Sequence, residues 1–116
     1  RVKGAYNLFC GGEKSGLFVG HTEAITTGSL AGHNAVRLIK GMPLLELPHG
    51  LAAGDLIAFA NRQMESEEGL KTRYTFAGAE YFERMKEKGL YTTDPEEIKR
   101  RVRRYGLEGI YSERLL

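Results

Sequence analysis

The sequence contains no tryptophan, a single cysteine and no long hydrophobic run, and these absences exclude several classes of protein. The one cysteine, Cys10, excludes an internal disulfide and any zinc or iron–sulfur site built from several cysteines. No apolar run approaches the roughly 20 residues that a transmembrane helix needs, so no membrane partner is expected. His21, His33 and His49 lack the spacing of a metal site, and we expect no bound metal. These features favour a reducing, cytoplasmic setting.

Neither sign of charge dominates the chain. Its 17 basic and 15 acidic residues give a net charge of +2, which by itself does not indicate nucleic acid binding. Hydrophobic residues make up 41% and charged residues 28%, which is typical of a folded globular domain. The 116 residues suffice for one modest core. The sequence opens on Arg1 without a methionine, and we expect it to be a fragment of a longer protein.

The first forty residues predict a strand, a glycine-rich loop and a helix. Tyr6–Cys10 (YNLFC) is apolar and ends at two glycines, which predicts a buried strand with Cys10 as a small buried hydrophobe rather than a nucleophile. Glu13–Gly20 predicts a loop, and Thr22–Lys40 predicts a helix capped by Thr22. One strand cannot form a sheet, so YNLFC needs partner strands from elsewhere.

The remainder predicts a helical tail. Its expected elements are the linker Pro43–Gly50, the helix Leu51–Met64, the acidic turn Glu65–Gly69, the helices Phe76–Lys88 and Asp94–Tyr105, and a short last helix in Leu107–Leu115. In the helix Phe76–Lys88 the inward positions are Phe76, Ala79, Tyr81, Phe82 and Met85. The expected fold class is mainly α with minimal β (α+β). We expect two parts, the strand–loop–helix of residues 1–42 and the helical tail of residues 43–116.

Small residues are concentrated on one face of the predicted helix Thr22–Lys40. That face carries Ala24, Gly28, Ala31, Gly32 and Ala35. Each internal glycine costs about 1 kcal/mol relative to alanine, so a backbone or a ligand is expected to lie very close.

A strand followed by a glycine-rich loop and a helix N-terminus is an arrangement that commonly binds an anion or a dinucleotide. The spacing here matches neither G-x-G-x-x-G nor G-x-x-x-x-G-K-[ST]. The generic motifs therefore leave two readings open: a cofactor site, or a glycine-rich turn beside a tightly packed helix.

The order of residues from Leu8 to Ala35 is more specific than these motifs. It reads L-F-C-G-G-E, then a glycine, then G-H-T-E-A-x-x-x-G-x-x-A-G-H-N-A. This order resembles the last strand–loop–helix of the FAD domain in the glucose-inhibited division protein A family, which reads approximately L-F-F-A-G-Q, a glycine, and G-Y-x-E-x-x-x-x-G-x-x-A-G-x-N-A. That family includes the tRNA wobble-uridine carboxymethylaminomethyl enzyme and the FAD- and folate-dependent tRNA uridine methyltransferase. Glu13 stands where these enzymes have Gln, and His21 where they have Tyr.

The resemblance implies a flavin role for this segment in an FAD-dependent oxidoreductase. It places Gly11, Gly12 and Glu13 beside the ribityl and phosphate part of FAD. It places four further residues at the edge of the flavin ring: Gly20, His21, Thr22 and Glu23. The family's G-x-G-x-x-G fingerprint lies in a part that this sequence lacks, so we expect one wall of the site, no catalytic residue and no tight FAD binding by this chain alone. The implied partners are the rest of the FAD domain and tRNA.

Two other readings do not require a flavin. Arg100, Arg103 and Arg104 share a helix face that either contacts RNA phosphates or is simply solvated. The small-residue face of Thr22–Lys40 would also suit a homodimer. The absence of tryptophan and of a glycine–aromatic motif argues against a base-stacking platform.

Overall fold

The computed structural model describes the backbone of residues 1–116 and every side chain except that of Ala79. A 3-10 turn at Gly12–Ser15 precedes five helices. The helices are α1 (His21–Ile39), α2 (Ala52–Gln63), α3 (Glu67–Lys71), α4 (Ala79–Glu87) and α5 (Pro95–Arg104). Within these described residues the β structure is a single parallel bridge between Phe18 and Tyr74. The expected class, mainly α with minimal β, is confirmed.

The prediction of a buried strand at Tyr6–Cys10 is wrong. These residues form turns and irregular backbone, with Tyr6 and Leu8 72% and 54% exposed. Cys10 is exposed as well, so the expectation that it is a buried hydrophobe is also wrong. The physical reason is the missing partner strand, because a lone extended segment has nothing to donate hydrogen bonds to and no sheet face to pack on.

Helix α1 matches its predicted range within one residue, but Thr22 is not its cap. Gly20 occupies the N-cap position in extended conformation and makes no side-chain capping bond. The stop signal is confirmed, since Gly41 adopts a left-handed φ of 66° just after the helix.

Two segments of the tail have a different secondary structure from the predicted one. The acidic turn predicted at Glu65–Gly69 overlaps helix α3, which the Ser66 hydroxyl caps by accepting a hydrogen bond from the Gly69 N–H at 3.0 Å. The short helix expected in Leu107–Leu115 is absent from the described backbone, which instead forms turns around Gly109 at φ 72°.

Helices α4 and α5 differ in how they begin. Helix α4 begins at Ala79 rather than at Phe76, because residues 75–78 form a turn closed by the Gly78 N–H donating to the Thr75 carbonyl, and Gly78 is the extended N-cap. The Phe76 N–H in this turn donates to the Glu23 carboxylate across the fold. Helix α5 begins as predicted: Asp94 accepts from the Glu96 N–H at 3.0 Å, with Pro95 in the first turn.

The apolar core joins the glycine-rich loop to the tail. It comprises Leu17, Phe18, Leu56, Ala60, Tyr74, Tyr81 and Met85. Of the predicted inward positions on α4, Tyr81 and Met85 are buried, Phe76 and Phe82 are half-buried against the core, and Ala79 lies outside the described side chains. Helix α1 contributes no fully buried apolar side chain; its buried residues are Glu23, Thr27 and Asn34.

A buried carboxylate, Asp55 on α2, joins that helix to α4. Asp55 is 1% exposed and accepts two hydrogen bonds from the Arg84 guanidinium, at 2.8 and 2.9 Å. Lys88 Nζ lies 2.7 Å and the Tyr81 hydroxyl 3.0 Å from the same carboxylate. Burial raises the pKa of Asp55, but these hydrogen bonds and the charge of Arg84 outweigh it and lower the pKa from 3.8 to about 2. The ionised form of Asp55 therefore stabilises the fold.

We predict that Asp55→Asn lowers the free energy of unfolding at pH 7 by about 2 kcal/mol, because the native carboxylate binds its proton more weakly than the unfolded one. The contribution is complete above the unfolded pKa of 3.8 and is lost as the pH falls toward 2. Urea unfolding followed by circular dichroism between pH 2 and 7 measures it. The difference between wild type and variant should shrink across that window.

The matched control is Glu83→Gln. Glu83 is 61% exposed and pairs only with the exposed Lys86, so this change should cost about 0.5 kcal/mol or less. A pH-independent difference between wild type and Asp55→Asn would contradict the assignment of a charge effect.

Candidate functional site

The paired glycines of the loop lie against helix α1. A Cβ on Gly11 would come within 2.5 Å of the Thr27 carbonyl oxygen and 2.9 Å of the Gly28 nitrogen, both of which are backbone atoms. Gly12 is buried at φ 66°, and its N–H donates to the Thr27 hydroxyl at 2.7 Å. That hydroxyl donates in turn to the Glu23 carbonyl at 2.8 Å. At these two positions the glycines serve a close approach of loop backbone to helix backbone.

The 3-10 turn then carries the chain from the surface into the core. The Ser15 hydroxyl donates to the Gly12 carbonyl at 2.7 Å and closes the turn, with Gly16 in left-handed conformation after it. Glu13 is exposed on the outside of the turn. Leu17 follows as a core residue, and its carbonyl accepts from the Tyr74 N–H at 2.8 Å.

The start of α1 is open to solvent. His21 and Thr22 are exposed, and Gly20 offers no side chain to cap the helix. The N–H groups of the first turn have no acceptor within a helix, and they carry the positive end of its dipole. This end of α1 therefore suits an acceptor-rich or negatively charged group.

Glu23 stands in the first turn of the same helix but faces inward. It is 2% exposed. Its Oε1 accepts hydrogen bonds from the Thr75 hydroxyl at 3.0 Å and from the Phe76 N–H at 2.5 Å. Its Oε2 is buried without a hydrogen-bond partner among the described atoms and lies against Gly20, where any Cβ would collide with it.

The seven residues that sequence analysis assigned to the flavin lie in four different places. Gly20, His21 and Thr22 form the exposed helix start. Gly11 and Gly12 contact α1 about one turn further along, near Ala24 and Thr27. Glu13 lies on the surface of the 3-10 turn, and Glu23 is buried beneath the helix start.

The small-residue face of α1 has no close neighbour along part of its length. Gly28 and Gly32 are exposed, and no heavy atom of the described chain lies within 4 Å of a Cβ built on either one. Ile25 and Ile39 are 68% and 80% exposed on the same helix. The close approach expected here is therefore not supplied by the described part of this chain.

Sequence reasoning missed two sets of contacts that hold α1. The Asn34 side chain binds both backbone groups of Leu45, accepting from its N–H at 2.7 Å and donating to its carbonyl at 2.9 Å. Thr75 and Phe76 meet Glu23 across more than fifty residues. Asn34 is one of the residues that carry the resemblance. No local sequence pattern, however, predicts that Thr75 will be the partner of a carboxylate as distant in sequence as Glu23.

A cavity lies away from these seven residues. It has a volume of about 410 Å³ between the N-terminal segment, α1, the extended residues 44–47 and α2. Its polar lining residues are Arg1, Asn34, Glu46, His49 and Asn61. None of the seven assigned residues lines it.

The arginines of α5 are largely paired with acids. Arg100 and Arg101 contact Glu97, the latter at 2.9 Å, and Arg103 contacts Glu108 at 2.9 Å. The hydrogen bond from Arg101 lowers the pKa of Glu97, and that from Arg103 lowers the pKa of Glu108. Pairing reduces the charge that this face presents to a phosphate backbone.

The residues present fit one edge of an FAD molecule and not its whole length. The glycine N-cap and the exposed first turn of α1 suit the acceptor-rich pyrimidine edge of a flavin. The pair Gly11–Gly12 is closed by α1 and does not form an open phosphate cradle. Any flavin held here would need further walls from outside the described residues.

Comparison with known proteins agrees with the N-terminal resemblance. Residues 1–43 match the family model of the glucose inhibited division protein A. No solved structure matches the chain. Within the described residues, none of the helices has the length and hydropathy required to span a bilayer, and no three His, Cys, Asp or Glu side chains cluster as a metal site.

The two kinds of glycine in this region lead to opposite predictions. Gly11→Ala should lower the free energy of unfolding by about 1–3 kcal/mol, because its Cβ meets helix backbone that cannot move aside. Gly28→Ala should raise it by about 1 kcal/mol, because the position is open and alanine favours the helix.

Urea titration of both variants beside Gly32→Ala, a second open position, measures these effects. If Gly28→Ala lowered the free energy of unfolding, the inference that this face of α1 is open would be wrong, and another molecule would have to cover it in solution.

Proposed function

We propose that this chain supplies the flavin-ring part of the FAD site in an oxidoreductase related to the glucose-inhibited division protein A family, of the kind that modifies tRNA uridines. The observation that carries the proposal is the open N-terminus of α1, with glycine at the N-cap and exposed His21 and Thr22 after it. The match of residues 1–43 to the family model supports the same assignment.

In this proposal the site residues act chiefly through backbone. The N–H groups of the N-cap Gly20 and of His21 and Thr22 would donate toward the ring edge. Glu23, which the resemblance also placed at that edge, would lie behind them because its side chain is buried. Gly11, Gly12 and Glu13 would border the ribityl and phosphate part. When bound, FAD would supply the electron transfer, and the protein would orient it and stabilise negative charge on the ring.

The proposed partners are inferred from the surfaces of α1 that this chain leaves uncovered. The rest of the FAD domain would close the site and cover the bare face of α1 at Gly28 and Gly32. The substrate in this proposal is tRNA, bound largely by other parts of the protein, since two of the three arginines considered for RNA contact, Arg100 and Arg103, are paired with acids.

A homodimer is the second candidate, and the same bare face favours it. An exposed glycine pair four residues apart lets a second helix approach closely. Light scattering at high concentration separates the two, since a strict monomer excludes the dimer and leaves the domain contact in place.

The flavin proposal is tested in the complete reading frame that contains these residues. The purified protein should be yellow or take up added FAD, and a colourless protein that gains no flavin would refute the proposal. His21→Asp should weaken binding of reduced flavin by about two- to fivefold, because its carboxylate neutralises the positive end of the helix.

The same substitution should leave the folded state as stable as before or slightly more so, since an acid in the first turn of a helix is favourable. This split distinguishes loss of binding from loss of folding. His49→Asp is the matched control, because His49 is exposed outside the proposed site. Equal flavin affinity in both variants would contradict the helix-start assignment.

A further inference from the structure

Glu23 joins the glycine-rich region to a segment of the tail more than fifty residues away. A single oxygen, Oε1, accepts from both the Thr75 hydroxyl and the Phe76 N–H. These are the two donors at the beginning of residues 75–78, which we call the strap. The strap turns tightly, since the Thr75 carbonyl accepts from the Gly78 N–H at 3.2 Å, and it leads directly into α4.

The strap is fixed on its other side by the core. Tyr74, immediately before it, is 1% exposed, and its N–H donates to the Leu17 carbonyl at 2.8 Å. The Thr75 hydroxyl also accepts from the Ala77 N–H at 3.2 Å. With Tyr74 anchored in the core, the contact to Glu23 decides whether the strap lies against the first turn of α1.

The carboxylate also packs against the helix start. A Cβ on Gly20 would collide with its Oε2, so any larger residue there would require the Glu23 side chain to shift. An N-cap without a side chain leaves the first-turn N–H groups free for an external acceptor. A buried acid three residues after the cap is also favoured by the helix dipole.

We propose that Glu23 is a positioning residue: it fixes the strap against the first turn of α1 and sets the position of Gly20, His21 and Thr22 without touching a ligand. Its 2% exposure places the carboxylate out of reach of any group bound at the helix start. The link to flavin rests on the proposed function above, whereas the link to the strap rests on the contacts alone. Through the strap, the helical tail therefore helps to position the residues at the start of α1.

Hydrogen exchange of the Phe76 amide tests the strap contact directly in the full chain. In Glu23→Ala this amide should exchange at least tenfold faster, beyond any change in amides that report global unfolding. In Glu23→Gln the side-chain carbonyl still accepts both bonds, so most of the protection should return. Thr75→Val removes one donor and should give an intermediate rate with the carboxylate intact.

Two controls bracket the result. Glu13→Ala removes an exposed acid from the 3-10 turn, and Thr26→Val removes a hydroxyl that bonds only within α1, at 2.7 Å from the Thr22 carbonyl. Both should leave the Phe76 amide protected as in wild type. Wild-type protection in Glu23→Ala would overturn the proposal.

Flavin binding in the complete protein provides the second readout. Affinity should fall in Glu23→Ala and return largely in Glu23→Gln, in parallel with Phe76 protection. If Glu23→Gln keeps the protection but loses flavin as fully as Glu23→Ala, the carboxylate contacts the ligand and the positioning role is refuted. If wild type binds no flavin, the proposed function fails, while the exchange rates still decide whether Glu23 holds the strap.

Discussion

Three buried polar side chains on α1 hold the glycine-rich region against the helical tail. Glu23 binds Thr75 and Phe76, Thr27 binds Gly12, and Asn34 binds Leu45. No apolar side chain of α1 is fully buried, so hydrophobic burial alone does not orient this helix. Hydrogen bonds are directional, and a buried polar group left unpaired is costly, so the three contacts fix the rotation of the helix as well as its position.

The glycine-rich loop takes its shape from these contacts. Thr27 accepts from Gly12 and donates to the turn of helix before it, which draws the loop backbone onto α1. A side chain at Gly11 would prevent that approach. Leu17 and Phe18, at the far end of the loop, can then reach the core beside α2 and α4. The polar contacts of α1 and the apolar core therefore depend on each other through one short stretch of backbone.

Local signals in the sequence predicted most of the helices, and non-local contacts account for the errors. Asp94 with Pro95, and Gly41 after α1, encode helix ends within a few residues, so those ends were predictable. The strand at Tyr6–Cys10 was predicted from hydrophobicity, but a strand exists only with a partner. Helix α4 begins at Ala79 because residues 75–78 form a turn, and that turn lies against Glu23 on another helix.

In the candidate site, too, some features follow from local sequence signals and others from non-local contacts. The open start of α1 follows from Gly20 and the helix after it, and both are visible in the sequence. The inward orientation of Glu23 is not visible, because in the first turn of a helix an acid ordinarily faces solvent and complements the dipole. Its hydrogen bonds from Thr75 and Phe76 hold it inward. The tertiary contacts of each residue, and not its type, determine that the start of α1 is exposed to a ligand whereas Glu23 is buried and supports it.

The bare face of α1 follows from the same arrangement. Because Glu23, Thr27 and Asn34 turn one side of the helix inward, Gly28 and Gly32 are left on the other. Each of these glycines costs about 1 kcal/mol in a helix interior, and no contact within the described chain compensates for it. The exposed positions of α1 within its described bounds also carry no Asp, Glu, Lys or Arg. An uncharged helix face with destabilising glycines is better suited to a closely packed neighbour than to water, and a neighbour packed there would contact the same helix whose start we propose as the flavin-binding end.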